Sequence, residues 1–363
     1  MTAGEGSPWG GRRVFVTGHT GFKGAWLVQM LSRQGAEVTG YSLPPPTVPS
    51  LFEAAGVEGL LHRHVTGDVR DAAHLATEIA AARPEAVFHL AAQALVRRGH
   101  REPVETFSTN VTGTAALLDA VRRAAIPCAV IVVTSDKCYE PHDDGRPHRE
   151  EDPLGGRDPY AASKACAELV AAAARRGHFP PERLADHGVQ VATVRAGNVI
   201  GGGDWAEDRL VTDLVGALAA GRPAALRHPG AIRPWQHVLD PLSGYLALAA
   251  RMLGEPAARH GGGWNFGPLP GGDLTVAEFV EAFIAAWGGG SWTSAPDPLA
   301  PAETAVLRLA VDRAVGDLGW RPRFSAPAAI ARTAAWYRGF SSDPSAARRL
   351  CDDDFDAHEE AGR

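Results

Sequence analysis

Tyr160 and Lys164 stand four residues apart in the run Asp158-Pro159-Tyr160-Ala161-Ala162-Ser163-Lys164-Ala165. Pro159 suits the first position of a helix, and in a helix that spacing stacks the two side chains on one face. A free tyrosine has a pKa of about 10. A neighbouring ammonium favours its phenolate, which makes the phenol a usable base for a hydroxyl proton at neutral pH. A second group of reactive side chains, Thr134-Ser135-Asp136-Lys137-Cys138-Tyr139, closes a run of Val and Ile that reads as a strand buried on both faces, 128–134.

Such residues need a scaffold, and the chain announces one near its start. The run Arg13-Val14-Phe15-Val16-Thr17 ends in Gly18, Gly21 and Gly24, and apolar residues at helical spacing follow. Strand, tight turn and helix in that order form a dinucleotide-binding turn. Gly18 permits the sharp reversal, Gly21 lets the backbone approach a pyrophosphate, and Gly24 lets the helix pack against the sheet. The helix N-terminus offers free N–H groups to phosphate. Further buried strands are expected at 37–41, 62–66, 86–90 and 189–195, with long helices at 106–125, mildly broken at Gly113, and 160–174. Asn110, inside the first of these, is a poor helix former that faces solvent unless it finds a partner. The fold class is therefore α/β, a doubly wound parallel Rossmann sheet with a smaller C-terminal α/β region for substrate. The domain reading is 12–195 for the cofactor and catalytic pair and 196–340 mainly for substrate, with room for a strand to return to the first sheet. Helices at 274–287 and 328–336 belong to the second part. The tails 1–11 and 341–363, the latter rich in Asp and Glu, read as disordered.

Composition narrows the function. Across 363 residues, 36 basic against 42 acidic side chains give no electrostatic case for nucleic acid or an anionic membrane. No apolar run spans a bilayer and no secretory pattern opens the chain, so a cytoplasmic address is expected. The 4 cysteines are scattered, which reads as reduced thiols. His62 and His64 share one face of a strand without a third ligand, so no metal is expected.

Beyond the glycine turn and the Tyr-Lys pair, several longer runs carry a resemblance. They are Gly21-Phe22-Lys23-Gly24, Pro49-Ser50-Leu51-Phe52-Glu53, Thr134 to Glu140, Pro153-Leu154-Gly155-Gly156, Arg195 to Trp205, Arg233 to Val238 and Trp264 to Pro268. From about Arg13 to Phe340 the chain resembles the extended short-chain dehydrogenases/reductases, within them the nucleotide-sugar 4,6-dehydratases, and most closely the branch that acts on CDP-glucose. The resemblance implies a redox-neutral cycle. Tyr160, helped by Lys164 and Ser135, removes the proton of the sugar C4 hydroxyl as hydride passes to NAD. Asp136 as acid and Lys137 as base then expel water across C5 and C6, and the hydride returns to C6. Lys137 is a base only when neutral; the alternative is a plain ion pair with Asp136. The implied cofactor contacts are Gly18, Thr20, Gly21, Phe22, Lys23, Gly24, Asp68, Val69, Ala91, Ala92, Gln93, Tyr160 and Lys164. Tyr41 and Ser42 stand where many NAD enzymes place a ribose-binding carboxylate, which leaves NAD against NADP open on the residues alone; the family implies NAD.

For substrate, the expected contacts are Arg97, Asn198, Arg209, Arg233 and Gln236: Arg209 and Arg233 for the two phosphates, because a guanidinium makes paired bonds to phosphate oxygens, and Arg97 as a residue that reaches the active site. The glycine-dense stretch 197–203 reads as a loop wrapping a ligand or as a flexible hinge. Trp205 and Trp235 either stack on the base or belong to core and rim. Gly99-His100 departs from the Ser-Tyr pair expected of close relatives. Family members pair through two long helices, here 106–125 and 160–174, so a homodimer is implied. A 4-epimerase or ketoreductase on the same fold needs Tyr160 and Lys164 but no Asp136–Lys137 pair, and a non-catalytic cofactor sensor needs neither.

Overall fold

The computed structural model describes residues 6–142, 144–255, 260–296 and 306–363. Six β-strands, β1 (Arg13–Thr17), β2 (Glu37–Ser42), β3 (Arg63–Thr66), β4 (Ala86–His89), β5 (Cys128–Val133) and β6 (Val189–Ala196), join the returning strand Gly262–Phe266. They make one 7-stranded sheet in the order returning strand, β6, β5, β4, β1, β2, β3. Every pairing is parallel. Alternation explains the layers. Val14, Val16, Phe88, Ile131 and Val194 feed one core, while Phe15, Val87, Val130, Val132 and Val191 feed the other. Helices cover both, as a parallel sheet requires. The strand order reverses between β1 and β4, which opens a crevice at the carboxyl ends of the strands. The strand Gly262–Phe266 comes from the second half of the sequence, so the sheet itself crosses the sequence boundary near 195.

Asn110 lies in a π-turn, Ser108–Thr112, between the helices Pro103–Phe107 and Gly113–Ala124. It is 2 % exposed and not solvent-facing. Its amide bonds both the N–H and C=O of Gln93 and donates to Ser163 Oγ at 2.8 Å. Gly113 is required by proximity: a Cβ there would lie 2.7 Å from Val69 Cγ2.

The termini differ from expectation. The helix Ala326–Ser342 is followed by a short 3-10 turn and then by a further helix, Ala347–Ala361. Cys351, Phe355 and His358 recur at helical spacing and are buried, Phe355 against Trp26 with ring centroids 5.3 Å apart. The acidic residues read as a solvated tail lie on this helix, where Asp352 and Asp356 meet Arg33 at 3.0 and 2.5 Å. At the other end Trp9 is 1 % exposed and packs on Phe88. The tail reading therefore fails for 6–11 and 341–363, and residues 1–5 lie outside the described residues. No described helix is long and apolar enough to cross a membrane.

Candidate active site

A cleft of about 1230 Å³ runs along the carboxyl edge of the sheet. At one end is the glycine turn. Gly18 has φ +76°, and a Cβ on it would sit 2.6 Å from Ala91 N; one on Gly24 would sit 2.1 Å from Gly18 O. Neither position admits another residue without moving backbone. Gly21 N-caps the helix Phe22–Arg33 with no side chain over its first N–H groups, and a Cβ there would meet only Gly18 O at 3.4 Å. The turn thus presents bare donors to the cleft, which fits a dinucleotide pyrophosphate. Thr20, Phe22, Lys23, Val69, Ala91 and Ala92 line the cleft here.

Three of the cofactor-side residues are already engaged. Thr20 Oγ1 bonds Ser42 Oγ at 2.8 Å and Leu43 O at 2.9 Å, tying the turn to the end of β2. Asp68 lines the cleft, and its carboxylate grips the Arg70 guanidinium in a two-pronged contact. Gln93 turns its amide back onto Leu95 and Thr106. Asp71 caps the next helix through His74 N.

The reaction centre lies where β5 ends and the helix Pro159–Gly177 begins. Asp158 caps that helix through Ala161 N, and Pro159 opens it. Tyr160 and Lys164 are both buried. Lys164 Nζ donates to Val133 O at 3.0 Å. Burial, with Lys23 adding like-charge repulsion, lowers Lys164 to about 8. Burial also pushes Tyr160 above its ordinary value, while a hydrogen bond with Ser135 and the charge of Arg209 pull it back. Ser135 and Arg209 thus favour the Tyr160 anion, and Lys164, one helical turn along, donates to a backbone carbonyl.

Asp136 is 4 % exposed. Burial raises its pKa against the opposing pull of Lys137, Ser135, Lys23 and Arg233, which favours the protonated acid. Ser135 Oγ donates to its Oδ1 at 3.0 Å, and its Oδ2 is buried without a partner. Lys137 is half-buried on a 3-10 turn, and its N–H donates to Ser135 Oγ. Lys23 reaches into the same pocket from the glycine turn; burial and Arg209 lower it to about 8, with Asp136 and Asp204 acting the other way.

At the far end Arg97, Asn198, Arg209 and Arg233 line the cleft. Gln236 does not: it is buried, and its amide donates to Phe266 O at 3.0 Å, tying the returning strand in place. The stretch 197–203 is packed and not a flexible hinge, and 197–200 line the cleft. A Cβ on Gly197, Gly202 or Gly203 would lie 2.4 Å from Pro234, 1.9 Å from Trp336 or 2.7 Å from Leu51, so packing demands these glycines. Trp205 packs against Trp336, Tyr337 and Phe340, and Trp235 against Phe279 at 4.2 Å, which places both in core and rim.

Two features escaped sequence reasoning. Glu168 accepts from Thr134 and Thr193 at 2.6 Å each and from Arg195 at 2.8 Å through two nitrogens. Arg195 in turn donates to Tyr139 Oη, which donates to Asn265. The signal was a lone acid four residues beyond Lys164 on an alanine-rich helix face. The other is a ring of arginines at the mouth: Asp208, at φ +59°, faces Arg97, Arg101 and Arg227 at 3.5, 3.8 and 3.9 Å. Nothing local in the sequence marks Arg227.

Residues 14–262 match the NAD dependent epimerase/dehydratase family. The chain belongs to that family. It is 46% identical over 332 residues, 92% of either chain, to the CDP-glucose 4,6-dehydratase of Salmonella typhimurium. It is 32% identical to the dTDP-glucose 4,6-dehydratase of Streptomyces antibioticus, covering 90% of this chain and 92% of that one. Among solved structures it superposes on a dTDP-glucose 4,6-dehydratase of Streptomyces venezuelae with NAD bound, at a TM-score of 0.74 and 28% identity over 92% of this chain and 99% of that one. A UDP-glucose 4-epimerase of Mycolicibacterium smegmatis is also similar, at 29% identity over 91% of this chain and 99% of that one.

Proposed function

We propose that this chain is an NAD-dependent hydro-lyase that converts CDP-glucose to CDP-4-keto-6-deoxyglucose and water. The observation that carries the proposal is the buried acid Asp136, next to Lys137 at the strand end that faces Tyr160. The 46% identity to a CDP-glucose 4,6-dehydratase supports the choice of base and sugar. NAD, held by the glycine turn and the small residues Ala91 and Ala92, supplies a hydride acceptor that later serves as donor, so the reaction needs no external redox partner.

The protein's own groups move the protons. Tyr160 takes the proton of the C4 hydroxyl, with Ser135 and Arg209 favouring its anion. The resulting C4 ketone acidifies C5–H. Lys137, in its neutral form, takes that proton, and Asp136 protonates the C6 oxygen as it leaves as water. Lys137 makes no salt bridge with Asp136 among the described residues, although its charge lowers the Asp136 pKa through space, and we read it as the base and not as a plain ion-pair partner. Arg97, Arg209 and Arg233 hold the diphosphate. The same proposal includes a homodimer through the helices Gly113–Ala124 and Pro159–Gly177, with Leu169 on the latter 59 % exposed, and a cytoplasmic site of action.

The test is to incubate purified protein with CDP-, dTDP-, UDP- and GDP-glucose in deuterated water, to follow the 4-ketone by its alkaline absorbance and to locate deuterium by NMR. CDP-glucose is expected to give a 6-deoxy product labelled at C5, and Lys137→Met is expected to stop C5 exchange. A product that keeps its C6 hydroxyl would assign the chain to epimerisation instead.

A further inference from the structure

Beyond the reaction centre, the excursion between Tyr139 and Leu154 brings together side chains that the proposed chemistry does not use. Candidate ligand atoms of His142, His148 and Asp152 all lie within 4.8 Å of one another. The excursion is pinned by backbone. Tyr139 and Leu154 form an antiparallel bridge at its neck, and His148 bridges to the 306–311 segment through His148 N to Arg308 O at 2.9 Å and Ala310 N to His148 O at 2.8 Å. The backbone of His148 and the neck of the excursion are therefore set by the fold.

Three ring nitrogens of this cluster make no hydrogen bond. His148 is 3 % exposed, yet its Nδ1 makes no hydrogen bond, and neither ring nitrogen of His142 makes one. Buried imidazole nitrogens without partners are costly, and the usual ways to satisfy them are a water or a metal ion. The two rings lie 4.0 Å apart, and Tyr139 stacks on His148 at 4.7 Å, which fixes the ring plane. Asp152 brings its Oδ2 to 3.6 Å from His148 Nδ1, and Asp144 brings an oxygen to 2.6 Å from His142 Nδ1 without hydrogen-bond geometry. We propose that His142, His148 and Asp152 form a binding site for a divalent transition ion, with Asp144 or water as fourth ligand. Two imidazoles and a carboxylate suit zinc and its neighbours in preference to magnesium or calcium. Zinc–ligand bonds of about 2.1 Å place tetrahedral ligands roughly 3.4 Å apart, so the cluster closes by about an ångström or more on loading.

A competitor is already present. Arg146 Nη1 sits 2.6 Å from Asp152 Oδ2, and that guanidinium is 45% exposed, free to swing out. Pro141 and His148 line the substrate cleft, so closing the excursion on an ion reshapes the wall beside Lys137. The ion acts as a staple at the substrate end of the cleft and takes no part in the proton transfers.

The test uses the full chain without a histidine tag, stripped with chelator and then titrated with Zn²⁺ by calorimetry and with Co²⁺ by visible spectroscopy. One equivalent per chain with the intense d–d bands of a tetrahedral site is expected. His142→Gln and His148→Gln should each weaken binding by more than the roughly 10–100-fold that loss of an outer-shell partner costs. Arg146→Ala should tighten it. Zn²⁺ should raise the melting temperature of the wild type but not of His142→Gln, whose partly exposed side chain makes it the variant least apt to misfold. Substoichiometric binding would overturn the proposal. So would binding that survives both histidine changes and disappears in His64→Ala, because that would place the ion at the His19–His64 pair beside β3.

Discussion

The side chains around Tyr160 and those at the mouth of the cleft are held in opposite ways. Around Tyr160 most polar groups have a short, buried partner: Lys164 on Val133 O, Ser135 on Asp136, Asn110 on Ser163, Glu168 on two threonines and Arg195. At the mouth, Arg97, Arg101 and Arg227 approach the Asp208 carboxylate at 3.5 to 3.9 Å, and Arg101 also pairs with Glu207, in contacts that remain partly exposed. Exposed pairs of this kind contribute about 0–1 kcal/mol. The difference teaches a division of labour. A preorganised centre serves the transition state, whereas a loosely paired rim can exchange its own carboxylate for an incoming diphosphate.

This contrast can be broken most severely at the centre. Tyr160→Phe is expected to lower kcat by roughly 10³-fold with little change in KM, measured as 4-ketone formation. Glu168→Gln should be the next largest effect: it leaves the buried Arg195 charge half-compensated and should cost about 3–5 kcal/mol in chemical unfolding. At the rim, Arg227→Ala should raise KM by about tenfold at unchanged kcat, the loss of one charged contact to phosphate. Asp208→Asn should move KM the other way by a few-fold, because the arginines are released while the left-handed backbone is still tolerated. A rise in KM for both would mean that Asp208 itself touches substrate.

The smallest expected effect concerns pH. The folded-state pKa of Asp136 is raised, so its contribution to stability is complete below the unfolded value near 3.9 and is lost as pH rises through the folded value. Asp136→Asn removes that loss. It should be inactive in dehydration yet melt higher than wild type near pH 8, with the gap closing in acid.

Much of this was legible in the residues. The turn at Gly18, Gly21 and Gly24, the Val- and Ile-rich strands and the Tyr160–Lys164 spacing are local signals, and local signals survive in a one-dimensional reading. What was lost depends on distant partners. The glycines at 197–203 left loop and hinge undecided because nothing nearby announces Trp336 or Leu51, the side chains they make room for. Gln236 looked like a substrate contact because its true partner, Phe266 O, lies thirty residues away on the returning strand. The acidic C-terminal segment looked solvated because its counter-charge, Arg33, is at the other end of the chain.

That last helix has a reach beyond its own stability. Phe355 lies against Trp26, and the Trp26 indole donates to Gly202 O at 3.0 Å, in the same stretch of chain as Asn198. A stop codon after Ala346, far from any reacting atom in the sequence, would strip one wall from that indole and loosen the seam between the pyrophosphate turn and the sugar end of the cleft. Truncations or fusions at the carboxyl terminus should therefore be judged as active-site edits, not as trimming.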